Sequence, residues 1–428
     1  PLLMLTGMVA VLLALFSSYP REIWSVMLLF TAIITFSNCA HVCVFAPMFF
    51  LRMYYAMRTH PFESNDMTID QMQAASGVVH WILYPNYKED FEVLCSAIES
   101  AAQSAIAREQ VCVMLAMEER DETAAQVATR MTAKFLDQFR EVSVSYHPQD
   151  LPNDPPGKAS NVAFAFKKLM QHLVETDQDL SKVVVTISDA DSHFHEWYFQ
   201  LLTKAFLSHD PSARHTKLWQ APMFHIKNYS QQPMMLSVGN MFTALTEMSM
   251  LSDPNAVRFP YSTYSLSFNL AKVVDGWDAE WIAEDWHMGL KCFLLTLGST
   301  SVDAIPLPIL SYAPLDTTFL GTLSARWSQA KRHALGISDI SYYLMTLPLI
   351  MARLRHDQPL GICLAAFCKV VFRSLGHFVR MVNTHVMMGH VALYTLLTVI
   401  LGFVARVFLT LPALRTLTHW ETIVTFMF

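Results

Sequence analysis

No Cys-x-x-Cys spacing occurs among the seven cysteines, Cys39, Cys43, Cys95, Cys112, Cys292, Cys363 and Cys368. Neither a disulfide framework nor a zinc site can be read from them, which fits a reducing compartment. Cys39 and Cys43 share a helix face inside an apolar run, where small packing residues are the expected use. No basic excess is present either. Lys and Arg number 30 against 36 Asp and Glu, and the net charge of −6 argues against a nucleic-acid partner. Repeats of solenoid length and low-complexity tracts are missing as well.

Charge itself is nearly absent from Pro1–Phe16, Ile23–Leu51 and most of Met387–Leu411. Each run is about the length of a membrane-spanning helix. They help to raise the hydrophobic share to 53% and the mean hydropathy to +0.29. The middle of the chain keeps the composition of a soluble protein. Arg52 and Arg58 follow the second run, which favours a cytosolic central domain. The chain opens on Pro1 and closes inside the apolar run Ile423–Phe428, so a longer parent protein is expected. The expected organisation is two transmembrane helices in 1–51, a globular domain in 52–340, interfacial helices in 341–386 and further spans in 387–428. Lys369, Arg373 and Arg380 interrupt the apolar character of 341–386, hence the interfacial reading.

Within the middle, strands alternate with helices. Val78–Leu83, Val111–Met117, Val142–Tyr146 and Val183–Ile187 read as strands. Phe91–Ala107, Thr123–Phe139, Ala159–Val174 and Glu196–Leu207 read as helices. The pattern gives βαβ units and an α/β fold with a mostly parallel sheet. Further on, Lys217–Ile226 and Tyr261–Leu270 read as strands, Trp277–Phe293 as a helix, and Ser301–Leu310 as an extended edge broken by proline. Gln232–Met250 is a Met-rich helix whose apolar face suits the core or, near spans, a bilayer surface.

Ligands of such sheets sit beyond the carboxyl ends of the strands. Tyr87 with Glu89, Glu118–Asp121, and Asp189 with Asp191 all fall there. The buried run Val183–Ser188 ends in Asp189-Ala190-Asp191, a hard oxygen site that suits Mg²⁺ or Mn²⁺, although Asp-x-Asp also occurs in solvated turns. Lys158 with backbone N–H groups at a helix start offers an anion site, or simply a solvated lysine. Glu284 and Asp285 offer a general base, or merely two acids favoured by a helix dipole. Arg332 suits a diphosphate or anionic lipid. His193 is a further metal-ligand candidate, against the ordinary use of a histidine that lines a pocket.

In this order the motifs resemble the membrane-integrated family 2 glycosyltransferases, the group of cellulose, hyaluronan and chitin synthases. The resemblance covers about Val78–Gly336, with spans on either side, and implies a GT-A type catalytic domain over 52–340. Tyr84-Pro85-Asn86-Tyr87-Lys88-Glu89 looks like the loop that holds the nucleotide base, and Glu118–Asp121 falls where an acid meets uracil or ribose. Gly157-Lys158-Ala159 is similar to a Lys motif near the nucleotide. Asp189-Ala190-Asp191 matches the metal-binding motif, and Glu284-Asp285 the pair whose Asp is the catalytic base. Arg326–Gly336 resembles a Gln-x-x-Arg-Trp segment, with His333 where that family carries tryptophan.

The resemblance implies an inverting, metal-dependent transfer from a UDP-linked or other nucleotide sugar to a polysaccharide or glycolipid hydroxyl at the cytosolic face. Asp285 with Glu284 would be catalytic. Tyr87, Glu89, Glu118, Lys158, Asp189 and Arg332 would hold the donor, with Asp191 and Asp189 on Mg²⁺ or Mn²⁺. Trp286 and His333 would meet the acceptor. Trp327, six residues before His333, lies about 120° round the helix and does not replace the missing indole. Membrane lipids and an oligomer or larger membrane complex are the other expected partners. Processive synthesis and single transfer both stay open, as do the plasma membrane and the Golgi or endomembranes. The rival is a catalytically silent subunit that scaffolds a membrane assembly.

Overall fold

Alternation along the first strand-length run of the domain decides where the core lies. Ile82 and Tyr84 face one side of their strand and Trp81 and Leu83 the other, all essentially solvent-free, so this strand is covered on both faces. The structure is a computed structural model and describes residues 20–62, 71, 74–152, 154–357 and 360–410. It divides into two compact units, Val44–His377 and the described parts of Pro1–Cys43 with Phe378–Phe428.

In the larger unit, β1 (Val79–Asn86), β2 (Val111–Glu118), β3 (Glu141–His147) and β4 (Val183–Ile187) are joined by α2 (Phe91–Ala102), α3 (Ala124–Phe135) and α4 (Lys158–Glu175). α1 is Pro20–Ala56, a helix shared by the two units. After α5 (Tyr198–Leu207) come β5 (Lys217–Gln220), β6 (Met223–Phe224), α6 (Met234–Ser252), β7 (Tyr264–Ser267) and α7 (Phe268–Val273). They are followed by α8 (Glu284–Leu295), β8 (Ser301–Ala304), β9 (Ile309–Leu310), α9 (Phe319–Ala334), α10 (Ser338–Asp357) and α11 (Leu360–Val382).

Seven strands form one sheet in the order β3-β2-β1-β4-β7-β5-β8, and β6 pairs with β9 in a second. Only β7 runs against its neighbours in the large sheet, so the expected mostly parallel α/β architecture holds. α4 covers one face with Val162, Phe166, Leu169 and Leu173, a helical stripe that meets Trp81, Leu83 and Met114. Leu94 and Ile98 of α2 and Tyr198, Phe199 and Leu202 of α5 cover the other.

Two expected helices end early, at Ala102 and Phe135, and three other elements differ more. The strand expected over 217–226 breaks at Ala221-Pro222, because proline brings no ladder donor, and the chain passes to the small sheet, where Met223 pairs with Ile309. The strand expected over 261–270 is only β7, after which the chain turns into α7. The helix expected over 277–293 starts at Glu284. Asp275 and Gly276 take left-handed backbone, φ 60° and 66°, and Asp278 folds back to bond His287 and Lys291 of α8, so 277–283 is a loop. Gly276 suits this turn twice over, since a β-carbon there would lie 2.7 Å from the Phe166 ring.

Ser25–Ala56, Phe319–Arg355 and Gly361–Leu397 are long and apolar enough to cross a membrane. The segment expected to lie along an interface, 341–386, is thus built mostly of helices with span length and apolarity. In the smaller unit Met27 and Tyr394 are buried against Ile23, Phe30, Leu393 and Leu397, and α12 is Met388–Thr410. The expected span Pro1–Phe16 and the apolar end Ile423–Phe428 lie outside the described residues.

Candidate active site

β4 is a short run of valines, threonine and isoleucine with every residue buried, and it delivers Asp189 to the rim of the sheet. The Ser188 N–H still donates to Leu83 of β1, 3.0 Å away, while the Asp189 N–H turns to the Thr263 hydroxyl at 3.1 Å. Lys158 opens α4 directly after Gly157 and reaches across the rim. Its Nζ lies 2.6 Å from Asp189 Oδ1 and 2.7 Å from Glu284 Oε1, and donates to the Ser262 carbonyl at 3.1 Å.

Opposing effects set the charges here. Burial pulls the Lys158 pKa down, but Asp189, Glu284 and Asp285 outweigh it and hold the ammonium above its ordinary value. Burial pushes Asp189 up, and Lys158 with the Ser262 hydroxyl brings it below the usual carboxylate range. Glu284 is pushed up to about 7 by burial and by Asp285, against the pull of Lys158.

Asp191 follows two residues after Asp189. One oxygen accepts from the Tyr312 N–H at 3.0 Å. Its pKa rises to about 7 because it is buried and because Asp189 and Glu89 are both negative. Glu89, exposed on the loop after β1, is raised by burial of its carboxyl and by Asp189 and Asp90. Among the described residues no three His, Cys, Asp or Glu side chains form a ready-made metal cluster. Hard oxygen donors in a locally negative field nevertheless suit a divalent cation of the Mg²⁺ or Mn²⁺ kind. His193 is not placed to join them. Its ring nitrogens are engaged by the Asp191 carbonyl at 2.9 Å and the Ser96 hydroxyl at 3.1 Å, which makes it a structural pin.

β1 and β2 end side by side, Asn86 opposite Met117. Beyond them the Arg120 guanidinium lies 3.7 Å over the Tyr87 ring and pairs with Glu118. Lys88 is left-handed, φ 58°, and its N–H donates to Asp121 at 3.0 Å, which fixes the loop that presents Tyr87 and Glu89.

From the other direction α8 presents Glu284 and Asp285 in its first turn, where the helix dipole favours negative charge. Asp285 accepts from the N–H groups of Ser262 at 2.8 Å and Trp286 at 2.7 Å. The Trp286 ring stacks on Phe259, centroids 4.4 Å apart. His287 is clamped between Asp278 at 2.7 Å and Asp339 at 2.8 Å, with Trp281 stacked on it at 4.1 Å. Burial lowers the His287 pKa, but the two carboxylates outweigh it and raise it above the ordinary value.

α9 adds positive charge. Arg332 is exposed, whereas Arg326 is the arginine tied into the domain, bonded to Gln329 and to Asn240 of α6 at 2.6 Å each. His333, also exposed, is within electrostatic reach of Asp285 and Asp189. His225 is lowered by burial and then by Arg326, which puts the same helix beside the small sheet.

The rim therefore joins Lys158 directly to Asp189 and Glu284, links Asp285 to them through Ser262, and keeps Asp191 and Glu89 within electrostatic reach of Asp189. Sequence reading missed Ser262, whose backbone and hydroxyl touch three of these side chains, and Tyr312, which holds Asp191. Both are ordinary polar or aromatic residues in loops, and no local pattern marks them.

Residues 184–427 match the profile of glycosyl transferase family group 2. No curated protein matches the chain. Among solved structures, it is similar to the mannosyltransferase PcManGT from Pyrobaculum calidifontis in complex with GDP-Man and Mn²⁺, at 12% identity and TM-score 0.40, over 93% of this chain and 97% of that one. It is also similar to TarS from S. aureus, at 12% identity and TM-score 0.37, over 70% and 72%. A third is glucosyl-3-phosphoglycerate synthase from Mycobacterium tuberculosis in complex with Mg²⁺ and UDP, at 16% identity and TM-score 0.33, over 63% and 84%.

Proposed function

The chain belongs to glycosyl transferase family group 2, and we propose that it is an inverting, metal-dependent enzyme of that family. It moves a sugar from a nucleotide-sugar donor of the UDP class to a hydroxyl of a polysaccharide or glycolipid acceptor, at the cytosolic face of a membrane. The transferase domain spans 52–340, and the long apolar helices on either side anchor it. The observation that carries this reading is the lysine-centred cluster in which Lys158 pairs with Asp189 and Glu284, beside Asp285.

Asp285 is the base. Its carboxylate takes the acceptor proton as the hydroxyl oxygen attacks the anomeric carbon, while the bond from that carbon to the diphosphate oxygen breaks on the opposite face. Lys158 supplies fixed positive charge near the departing diphosphate, an arrangement that needs no reorganisation during the reaction. Asp191 and Asp189 would hold Mg²⁺ or Mn²⁺, which when bound neutralises diphosphate charge. Tyr87, Glu89 and Glu118 line the nucleotide side, and Arg332 faces the diphosphate. Trp286 and His333 meet the acceptor. His333 offers less stacking area than an indole would.

Transfer assays on the membrane-embedded chain with labelled UDP-sugars test the reading. Asp191→Asn and Asp285→Asn should each abolish transfer. Unchanged function in both would favour a catalytically silent scaffolding subunit instead. A ladder of long products would identify a polymerising enzyme, and a single added sugar a one-step transferase.

A further inference from the structure

Ser262 lies in the left-handed region, φ 57°, where a non-glycine residue is strained, and it occupies the middle of the site. All its polar groups are committed. Its N–H donates to Asp285 Oδ2 at 2.8 Å, its carbonyl accepts from Lys158 Nζ at 3.1 Å, and its hydroxyl donates to Asp189 Oδ2. These partners come from the start of α8, the start of α4 and the end of β4. One rigid residue thus spans the acids on the donor side and the base on the acceptor side.

The surrounding chain holds this conformation in place. Buried Gln220 of β5 accepts from the Tyr261 N–H at 2.8 Å and donates to the Thr263 carbonyl at 3.0 Å, bracketing Ser262 from both sides. The Thr263 hydroxyl is engaged by the Asp189 N–H and by Ser192. If only the backbone geometry mattered, glycine would adopt it without strain. What serine adds is the hydroxyl, and that hydroxyl meets Asp189.

We propose that Ser262 is a positioning residue that sets the spacing between Asp189 and Asp285, so that bound donor and acceptor hydroxyl meet in line. The proposal rests on the transfer reading above. Ser262→Gly keeps the left-handed backbone and both backbone bonds but removes the hydroxyl, whereas Ser262→Ala removes the hydroxyl and keeps the strain. Both are measured in the full chain in lipid nanodiscs, with UDP-glucose, UDP-N-acetylglucosamine and GDP-mannose as probes and Mn²⁺ present.

Misplacement of this kind predicts a kcat about 10- to 100-fold lower in both variants, with donor KM changed much less. Thermal unfolding of Ser262→Gly should be unchanged or higher, which separates positioning from folding. Wild-type kcat in Ser262→Gly would overturn the proposal. An inactive wild type would overturn the transfer reading, and hydrogen exchange then still decides on Ser262. Faster exchange over residues 284–288 in Ser262→Gly supports the link to Asp285, and unchanged exchange there overturns it.

Discussion

Gly289 brings α8 so close to Pro260 that a β-carbon at this position would lie 2.4 Å from the proline Cδ. Gly289 is one turn beyond Asp285, and Pro260 is two residues before Ser262. The missing side chain therefore sets how near the helix that carries Asp285 comes to the loop that holds it through Ser262. Gly289→Ala should cost about 1–3 kcal/mol, the usual effect of overpacking, and should lower transfer further by displacing Asp285. Thermal unfolding and donor turnover on the same preparation check both parts.

Lys158 is the cation that pairs with both Asp189 and Glu284. Lys158→Met leaves those acids to repel one another. Breaking a buried pair in this way costs up to about 3–5 kcal/mol, and less here because the lysine is partly solvated. The expected result is a loss of donor turnover greater than the loss of stability, read by titrating a UDP-sugar against the variant and the wild type.

Removing divalent ions should silence the enzyme. Treatment with EDTA is expected to stop donor turnover, and added Mn²⁺ or Mg²⁺ to restore it. Asp191→Asn should blunt the restoration, as a shift of the activating ion to higher concentration. Full turnover in EDTA would remove the ion from the mechanism.

His80 predicts a pH dependence of folding. It is fully buried in β1, its Nε2 is 2.7 Å from the Thr203 hydroxyl, and burial lowers its pKa to about 3. The unfolded chain takes up a proton near the ordinary value of 6.5 while the folded chain does not. His80 is thus neutral in both states above that value and adds no slope there. As pH falls from 6.5 towards 3, stability drops by up to about 1.4 kcal/mol per pH unit on account of this residue. His80→Gln should flatten that slope, as measured by denaturant unfolding between pH 7.5 and 5.

Much of the scaffold was legible in the residues, for identifiable reasons. β1, β2 and β4 are apolar runs of strand length closed by turn residues or acids, and α4 carries its stripe at helical spacing, so local pattern and tertiary burial agree. The direction of β7 was not legible, because pairing partners are chosen by the whole sheet. The late start of α8 depended on Asp278 bonding across to His287 and Lys291, which no periodicity encodes. Ser262 was hidden for a related reason. Its partners Asp189, Lys158 and Asp285 are 73, 104 and 23 positions away along the chain.

The reversed strand has a consequence of its own. Ile187 at the end of β4 faces Tyr264 at the beginning of β7, so the loop that arrives at β7 meets the rim where the parallel strands finish. In an all-parallel sheet that rim receives only outgoing loops. Here one incoming loop is admitted as well, and it lays Phe259 and Pro260 on Trp286 and Gly289 of α8 before it reaches Asp189 through Ser262, so one stretch of chain ties the start of that helix to the end of β4. An insertion in that stretch would therefore shift Asp189 and Asp285 together, a coupling that a purely parallel arrangement would not have.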